Sequence, residues 1–123
     1  GTPHVYYVGL LAGTGDLDLL ATTGNGRDVN RHTYTPEELH EQLTRPVVRA
    51  LLTMIQLRNT HPAFDGTPTH GRGNAPGSVE LAWHNGSHHV RLEATPGKAE
   101  FRLTWTTPDG DRTAGTVEEL AGA

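Results

Sequence analysis

Apolar residues recur along the chain with two different periods. Between positions 46 and 58 they lie three and four residues apart, which is the spacing of a helix with one apolar face. Between positions 79 and 105 they alternate with polar residues, which is the spacing of strands with one buried face. The pattern therefore predicts an amphipathic helix of about 14 residues in the first half and an antiparallel meander in the second half.

The helical half carries start and stop signals. Thr35 is placed to cap a helix that begins at Pro36, and Glu38 can close a capping box. Pro46 ends this run and starts the amphipathic helix, because a proline inside a helix removes a backbone hydrogen bond. Pro62 ends the second helix, since the residue before a proline is pushed out of the helical region.

The segment before these helices has a different pattern. Residues 5–8 are apolar without alternation, which predicts a strand buried on both faces, as in a parallel sheet. No earlier strand precedes it in the sequence, so we expect its neighbours to belong to polypeptide upstream of Gly1. Residues 16–20 are expected to form a short helical turn.

Turn signals divide the second half. Asn85-Gly86 is typical of a tight hairpin, Thr95-Pro96-Gly97 and Pro108-Asp109-Gly110 predict two further turns, and a weaker strand is expected over residues 112–117. Residues 67–77 contain three glycines and two prolines and are interpreted as a linker or a long loop.

Alternation places Trp83, Phe101 and Trp105 on one face of the meander. Aromatic side chains on an exposed face could stack on sugars, but the period favours core packing here. Because so small a sheet is not stable with its apolar face open, we expect the amphipathic helix, or another part of the protein, to cover it.

Composition argues against several classes of function. Ten basic and 14 acidic residues give a net charge of -4 without a basic patch, so nucleic acid is not an expected partner. No apolar run approaches the roughly 18 residues that span a membrane. The lack of cysteine excludes thiolate chemistry and suits a reducing, cytoplasmic compartment. His88-His89 has no third ligand at zinc-like spacing, and no metal or cofactor is expected.

Residues 24–32 form the densest polar stretch, with glycines, two arginines, an acid, an amide and an imidazole. Glycine allows sharp turns, and a guanidinium can bind two neighbouring oxygens at once. Such a loop suits a polyhydroxylated or anionic ligand. The alternative is a solvated loop in which arginine and aspartate side chains pair with each other.

A set of segments spread over residues 1–66 also carries a family resemblance. These segments are Pro3, residues 5–13, residues 26–32, residues 45–48, Arg58-Asn59 and residues 63–66. In order and spacing they resemble the C-terminal third of the sucrose phosphorylases, which belong to glycoside hydrolase family 13 of the α-amylase superfamily. Beyond residue 77 only the pattern of strands agrees with that family.

The resemblance implies a fold that is α+β in this chain. Residues 1–66 would be the C-terminal end of a (β/α)8 TIM barrel, with the first strand as its eighth strand. Residues 67–77 would be a linker loop, and residues 78–123 a small antiparallel β domain. The polar loop would then line the active site, because barrel active sites lie in the loops after the strands.

The resemblance also implies a substrate-binding set. Arg27 matches an arginine that binds the glucosyl unit through its 4-hydroxyl. Asp28, Asn30, Arg31 and His32 complete the candidate set. The last two either reach the acceptor side or pin the loop by hydrogen bonds to backbone carbonyls. The family's catalytic carboxylates come from strands outside this chain, so we expect the chain alone to be inactive.

The implied activity is that of a retaining glucosyl-transferring phosphorylase, which converts sucrose and phosphate into glucose 1-phosphate and fructose. Its partners would be a glucosyl donor and phosphate, and the parent enzyme could be a homodimer. Thr33 departs from the family pattern, which leaves the acceptor open. Sucrose 6'-phosphate, glucosylglycerol and glucosylglycerate phosphorylases and an amylase-type hydrolase are alternatives. A non-catalytic α+β module that binds carbohydrate or protein is the alternative of another class.

Overall fold

The computed structural model describes residues 4–123, so Gly1 to Pro3, which begin the segment that resembles the family, lie outside the described residues. The helices are α1 (Tyr7–Leu10), α2 (Leu17–Thr23), α3 (Pro36–Thr44), α4 (Pro46–Thr60) and α5 (Val117–Ala121). The strands are β1 (Thr67–Arg72), β2 (Val79–Asn85), β3 (His88–Thr95), β4 (Glu100–Thr107) and β5 (Gly110–Ala114). Short 3-10 turns occupy Asp28–Asn30, Pro62–Asp65 and Pro96–Lys98. The chain is therefore α+β.

The opening segment is a helical turn and not a strand. The backbone N–H of Leu10 donates to the carbonyl of Tyr6 at 2.8 Å, and that of Leu11 donates to Tyr7 at 3.0 Å. A strand satisfies its backbone groups through a neighbouring strand, and none lies beside this segment among residues 4–123. The expectation of a strand buried on both faces is wrong for these residues, since Val5 is exposed while Val8 is buried.

The helix starts that the sequence predicts are confirmed. The hydroxyl of Thr35 accepts from the N–H of Glu38 at 3.2 Å, and the Glu38 carboxylate accepts from the N–H of Thr35 at 2.7 Å. The two bonds form the expected capping box. The amphipathic helix begins at Pro46 as predicted and ends before His61. Asp16 caps α2, which runs slightly longer than the short turn expected there.

The five strands form one antiparallel sheet in the order β1-β2-β3-β4-β5. Trp83, Val90 and Trp105 lie opposite one another on successive strands, so they share one face. The predicted hairpin between β2 and β3 is present, with Gly86 at a φ of 58°. A positive φ at this position is readily adopted by glycine and suits the twist of a tight hairpin.

One side of the sheet forms the core together with the helices. Val90, Leu103 and Trp105 are buried in a cluster with Ala50 of α4 and Leu120 of α5. The other two aromatic residues expected on this face, Trp83 and Phe101, are partly buried and pack against the same cluster. Core packing of the aromatic side chains is confirmed, and α4 provides cover as expected.

Two predictions about the second half are wrong. The part of the expected linker at Thr67–Arg72 is strand β1, which pairs with β2 and leaves only a short loop before Val79. All six residues of β1 are exposed, so it has no alternating pattern from which a strand could be predicted. The last strand ends at Ala114, and α5 follows, capped by Thr116 and Glu119.

The end of α4 is fastened to the sheet through His61. Its Nε2 lies 2.8 Å from the backbone carbonyl of Thr106, and its Nδ1 accepts from the N–H of Ala63 at 3.2 Å. A neutral imidazole with its proton on Nε2 satisfies both bonds. The side chain of Asn85 donates to the carbonyl of Pro62 at 2.9 Å and ties the β2–β3 hairpin to the same turn.

Candidate substrate-binding loop

The polar loop at residues 24–32 connects α2 with α3. It leaves α2 at Gly24, whose φ of 65° turns the chain away from the helix. A hydrogen bond from the N–H of Asp28 to the carbonyl of Asn25, 2.9 Å long, folds the middle of the loop into a turn, which continues as the 3-10 turn Asp28–Asn30. The loop is thus a compact turn with defined backbone bonds.

The end of the loop is bonded to the start of α2. Nδ1 of His32 lies 2.7 Å from Oδ2 of Asp16, and Oδ1 of the same carboxylate accepts from the N–H of Leu19 at 2.8 Å. Nε2 of His32 lies 3.8 Å from the Glu38 carboxylate, which belongs to the capping box of α3. The ring also packs edge-on against Tyr34, with centroids 4.7 Å apart. His32 therefore joins both helix starts.

The contact between His32 and Asp16 alters the acid–base properties of both residues. The hydrogen bond that His32 donates to the Asp16 carboxylate, helped by the charge of Glu38, raises the pKa of His32 above its ordinary value of 6.5. The bond from His32, together with the N–H of Leu19, lowers the pKa of Asp16 below 3.8. The pair is therefore stabilised as an imidazolium and a carboxylate.

Arg27 and Arg31 behave differently within the loop. Arg31 donates to Oδ1 of Asp28 at 3.2 Å, so this pair forms the arginine–aspartate contact that the sequence allowed. Arg27 is exposed, and among residues 4–123 its guanidinium makes no hydrogen bond and no ion pair. Its backbone N–H donates to the side chain of Asn25 at 3.1 Å. The exposed guanidinium is available for a ligand.

The remaining candidate residues contribute in other ways. Asn30 is exposed, and its backbone N–H donates to the carbonyl of Arg27 at 3.3 Å. The contacts of Arg31 and His32 pin the loop, but the acceptors are the carboxylates of Asp28 and Asp16 and not backbone carbonyls. The five sequence candidates are thus neighbours in one loop, with the Arg27 side chain exposed, Asp28 paired with Arg31, and His32 turned towards α2.

A cavity of about 680 Å³ lies on the side of the loop that faces α2 and α3. Its wall includes Asp16, His32, Tyr34, Gln42 and Arg45. Arg45 connects α3 to the segment before α2 on the wall of this cavity, because its guanidinium donates to the carbonyls of Leu11 and Ala12 at 3.2 and 3.4 Å. The wall offers both donors and acceptors, which is the lining that a polar ligand or a polar stretch of protein requires.

Sequence reasoning missed the residues that hold the loop. Asp16 is not among the sequence candidates, although one of its carboxylate oxygens binds His32, sixteen positions away. Tyr34 and Arg45 carry no local signal for their contacts, which join segments distant in sequence. The cap signal of an aspartate before Leu17 could have identified Asp16 as the start of a helix, but its bond to His32 depends on the fold.

The pair His88-His89 lies at the start of strand β3, in the second half of the chain. His89 lies 3.2 Å from the Asp111 carboxylate and 2.9 Å from the hydroxyl of Thr106. Within residues 4–123, no group of three or more histidine, aspartate or glutamate side chains is arranged to hold a metal ion. In that same part of the protein, no helix combines the length and apolar character needed to cross a membrane.

The chain was compared with known proteins, and no protein-family model matches it. It is 41% identical over 106 residues to the glucosylglycerol phosphorylase of Marinobacter adhaerens, which covers 86% of this chain and 22% of that protein. It is 43% identical over 108 residues to the sucrose phosphorylase of Bifidobacterium adolescentis, which covers 88% of this chain and 21% of that protein. The chain is a homologue of sucrose phosphorylases and related phosphorylases.

The fold gives the same result. The crystal structure of the sucrose 6F-phosphate phosphorylase from Thermoanaerobacter thermosaccharolyticum superimposes with a TM-score of 0.81 and 29% identity, over 93% of this chain and 23% of the other. The chain therefore spans about a fifth of the length of these phosphorylases. It corresponds to a C-terminal portion of them, which confirms the resemblance seen in the sequence.

Proposed function

We propose that this chain is the C-terminal part of a retaining glucosyl-transferring phosphorylase. The observation that carries the proposal is the 40–43% identity, over most of the chain, to proteins named as glucosylglycerol and sucrose phosphorylases. The exposed guanidinium of Arg27 supports it, because the arginine at the matching position of the family binds the glucosyl unit. Residues 1–66 would be the C-terminal end of a (β/α)8 barrel whose strands we assign to the upstream polypeptide.

The reaction is a double displacement at the anomeric carbon. An enzyme carboxylate attacks that carbon, and the bond to the leaving-group oxygen breaks as a carboxylic acid protonates it. A phosphate oxygen then attacks the anomeric carbon, the bond from that carbon to the enzyme carboxylate breaks, and the second carboxylate, left ionised by the first step, takes up the proton of the incoming phosphate as glucose 1-phosphate leaves. Retention requires the two carboxyl groups to lie about 5–5.5 Å apart, and we assign both to the upstream part of the enzyme.

The carboxylates near the loop support this assignment. Asp16 binds His32 and the N–H of Leu19, Asp28 binds Arg31, and Glu38 caps α3. Each already accepts hydrogen bonds that hold it in place, which suits anchoring better than attack on a sugar. We therefore propose that the isolated chain has no phosphorylase activity.

The role of Arg27 follows from the chemistry of hydroxyl groups. Neighbouring hydroxyl oxygens of a sugar accept parallel N–H bonds from a planar guanidinium. A hydrogen bond to a charged group contributes about 1.5–3 kcal/mol. Such an energy corresponds to roughly a 10- to 150-fold change in kcat/KM. Arg27 is thereby proposed to hold the donor sugar while the upstream carboxylates act.

The test uses the full enzyme that contains this chain. Glucose 1-phosphate formation is measured with phosphate and sucrose, sucrose 6F-phosphate or glucosylglycerol, and we expect turnover of one of them. Arg27→Ala should lower kcat/KM by roughly 10- to 150-fold, whereas Arg49→Ala, at an exposed position of α4, should leave it unchanged.

Three results would contradict the proposal. Release of free glucose at a rate independent of phosphate would identify a hydrolase. Binding of a glucoside without turnover would identify a carbohydrate-binding module. Sugar phosphorolysis by the isolated 123-residue chain would show that the catalytic carboxylates lie within it.

A further inference from the structure

Asp16 forms hydrogen bonds with two residues near the end of the polar loop and with helix α2, which precedes the loop. Its backbone N–H donates to the carbonyl of Val29 at 2.7 Å. Its two carboxylate oxygens bind the N–H of Leu19 and Nδ1 of His32. The chain leaves Asp16, passes through α2 and the loop, and returns to Asp16 at Val29 and His32. The hydrogen bonds of Asp16 thus hold both ends of the segment that contains Arg27.

The same segment is shaped to receive the loop. A Cβ atom at Gly15 would lie 2.9 Å from a methyl carbon of Val29, which is too close for any other residue type without displacement. A Cβ atom at Gly13 would collide with the hydroxyl of Tyr34. Glycine at position 15 allows Val29 of the loop to lie directly against the backbone next to Asp16, and glycine at position 13 leaves room for Tyr34, whose ring packs against His32. The bonds of Asp16 are therefore supported by close packing.

The position of Arg27 depends on these contacts. The backbone of Arg27 is bonded to Asn25 and Asn30, which belong to the same loop, while its side chain has no partner among residues 4–123. Nothing in the described structure except the loop backbone therefore sets where the guanidinium points. If the loop moves away from Asp16, Arg27 moves with it.

We propose that Asp16 is a positioning residue, which anchors the loop at residues 24–32 so that Arg27 meets the donor sugar. The inference rests on the proposed function for the identity of the ligand, but the anchoring itself rests on the contacts above. A displacement of about 1 Å at a binding group can reduce the rate about 100-fold. Loss of the anchor should therefore affect a reaction that Asp16 does not touch.

The test compares two neighbouring substitutions in the full enzyme. Asp16→Asn keeps an oxygen that can cap α2, because asparagine caps helices as well as aspartate, but it removes the charge that binds His32. Asp18→Asn makes the same change two residues on, where the side chain is exposed. We expect Asp16→Asn to lower kcat/KM by on the order of 10- to 100-fold through a higher KM for the donor, and Asp18→Asn to have no effect.

A double-mutant cycle separates positioning from a general structural effect. If Asp16 acts through Arg27, adding Asp16→Asn to an Arg27→Ala enzyme should reduce kcat/KM by less than about twofold, because residues that act together are not additive. Independent, additive losses would overturn the proposal.

Hydrogen exchange measured over residues 24–32 tests the anchoring without any activity assay. We expect faster exchange in Asp16→Asn than in Asp18→Asn, and equal exchange in the two variants would overturn the proposal. An enzyme that phosphorolyses no glucoside would overturn the proposed function and the role of Arg27, while the exchange data would still decide whether Asp16 holds the loop.

Discussion

Gly66 lies directly against the backbone carbonyl of His84, at the point where the turn after α4 meets the sheet. A Cβ atom at Gly66 would overlap that carbonyl group. The carbonyl has little room to move, because His84 pairs with Thr67 on one side and with His89 on the other. Only a residue without a side chain fits this junction.

Gly66→Ala should therefore destabilise the protein by about 1–3 kcal/mol or more, the range for inserted methyl groups in packed sites. Chemical denaturation would measure the loss. Gly97→Ala is the matched control, because a Cβ atom there meets nothing within 4 Å. Equal stability of the two variants would show that the turn can move away from the sheet.

The stability that His32 and Asp16 provide should depend on pH in both directions. Because the pKa of His32 is raised in the folded state, the stability that His32 contributes is complete below about pH 6.5. It is lost as the pH rises through the folded-state pKa of His32. Because the pKa of Asp16 is lowered in the folded state, the stability that Asp16 contributes is complete above about pH 3.8. It is lost as the pH falls through the folded-state pKa of Asp16. The pair therefore stabilises most between about pH 4 and 6.5.

His32→Gln should reduce the unfolding midpoint more at about pH 5.5 than at about pH 8.5, and thermal unfolding at the two pH values measures the difference. The groups that face His32 are Asp16, Glu38 and Tyr34. His40→Gln, at an exposed position of α3, serves as the control. A His32→Gln effect that is the same at both pH values would contradict the ion pair.

Glu93 should stabilise the loop between β1 and β2 in a pH-dependent way. Its carboxylate accepts from the N–H of Asn74 at 2.6 Å, the N–H of Ala75 at 3.3 Å and the hydroxyl of Ser78 at 3.1 Å. The backbone bonds from Ala75 and Asn74 lower the pKa of Glu93 below its ordinary 4.5. This stabilisation is present above about pH 4.5 and lost as the pH falls through the folded-state value.

Glu93→Gln should therefore lower the denaturation midpoint at about pH 7 and have a smaller effect in acid, where the wild-type carboxyl is itself protonated. Glu100→Gln, at an exposed position of β4, should have little effect at either pH. If Glu93→Gln lowered the denaturation midpoint more in acid than at neutral pH, the stabilising role of the ionised Glu93 carboxylate would be contradicted.

Helix α5 should be essential to the core. Leu120 is 1% exposed and lies in the cluster with Trp105 and Ala50. Leu120→Ala removes buried methyl groups and should cost about 2–5 kcal/mol, measured by chemical denaturation. Glu118→Ala on the exposed side of the same helix should cost far less. Similar losses in both variants would indicate that α5 separates from the sheet in solution.

Sequence reasoning succeeded where the signal is local. The box of Thr35 and Glu38, the helix from Pro46 and the hairpin at Gly86 are each specified by neighbouring residues. The strand predicted at residues 5–8 is wrong, because an apolar run without alternation fits a buried strand and a helical turn equally well. The β1 strand could not be recognised, since its side chains are exposed and its existence depends on pairing with β2.

For the candidate site, too, the sequence shows the local features but not the contacts between distant segments. The loop at residues 24–32 was recognised as chemically unusual from its composition, and the comparisons confirm the family resemblance. Which arginine pairs with Asp28 could not be read from the sequence, because Arg27 and Arg31 are both close to it. The return of His32 to Asp16 depends on the path of the chain through α2, which no local pattern specifies.

The order of the strands has a consequence for how the second half folds. Among the described residues every paired strand joins the next one along the chain, so each hairpin forms across a short loop with a small entropic cost of closure. Low contact order is associated with fast folding. We therefore expect residues 67–114 to acquire their pairing early during refolding, ahead of contacts that join segments remote in sequence.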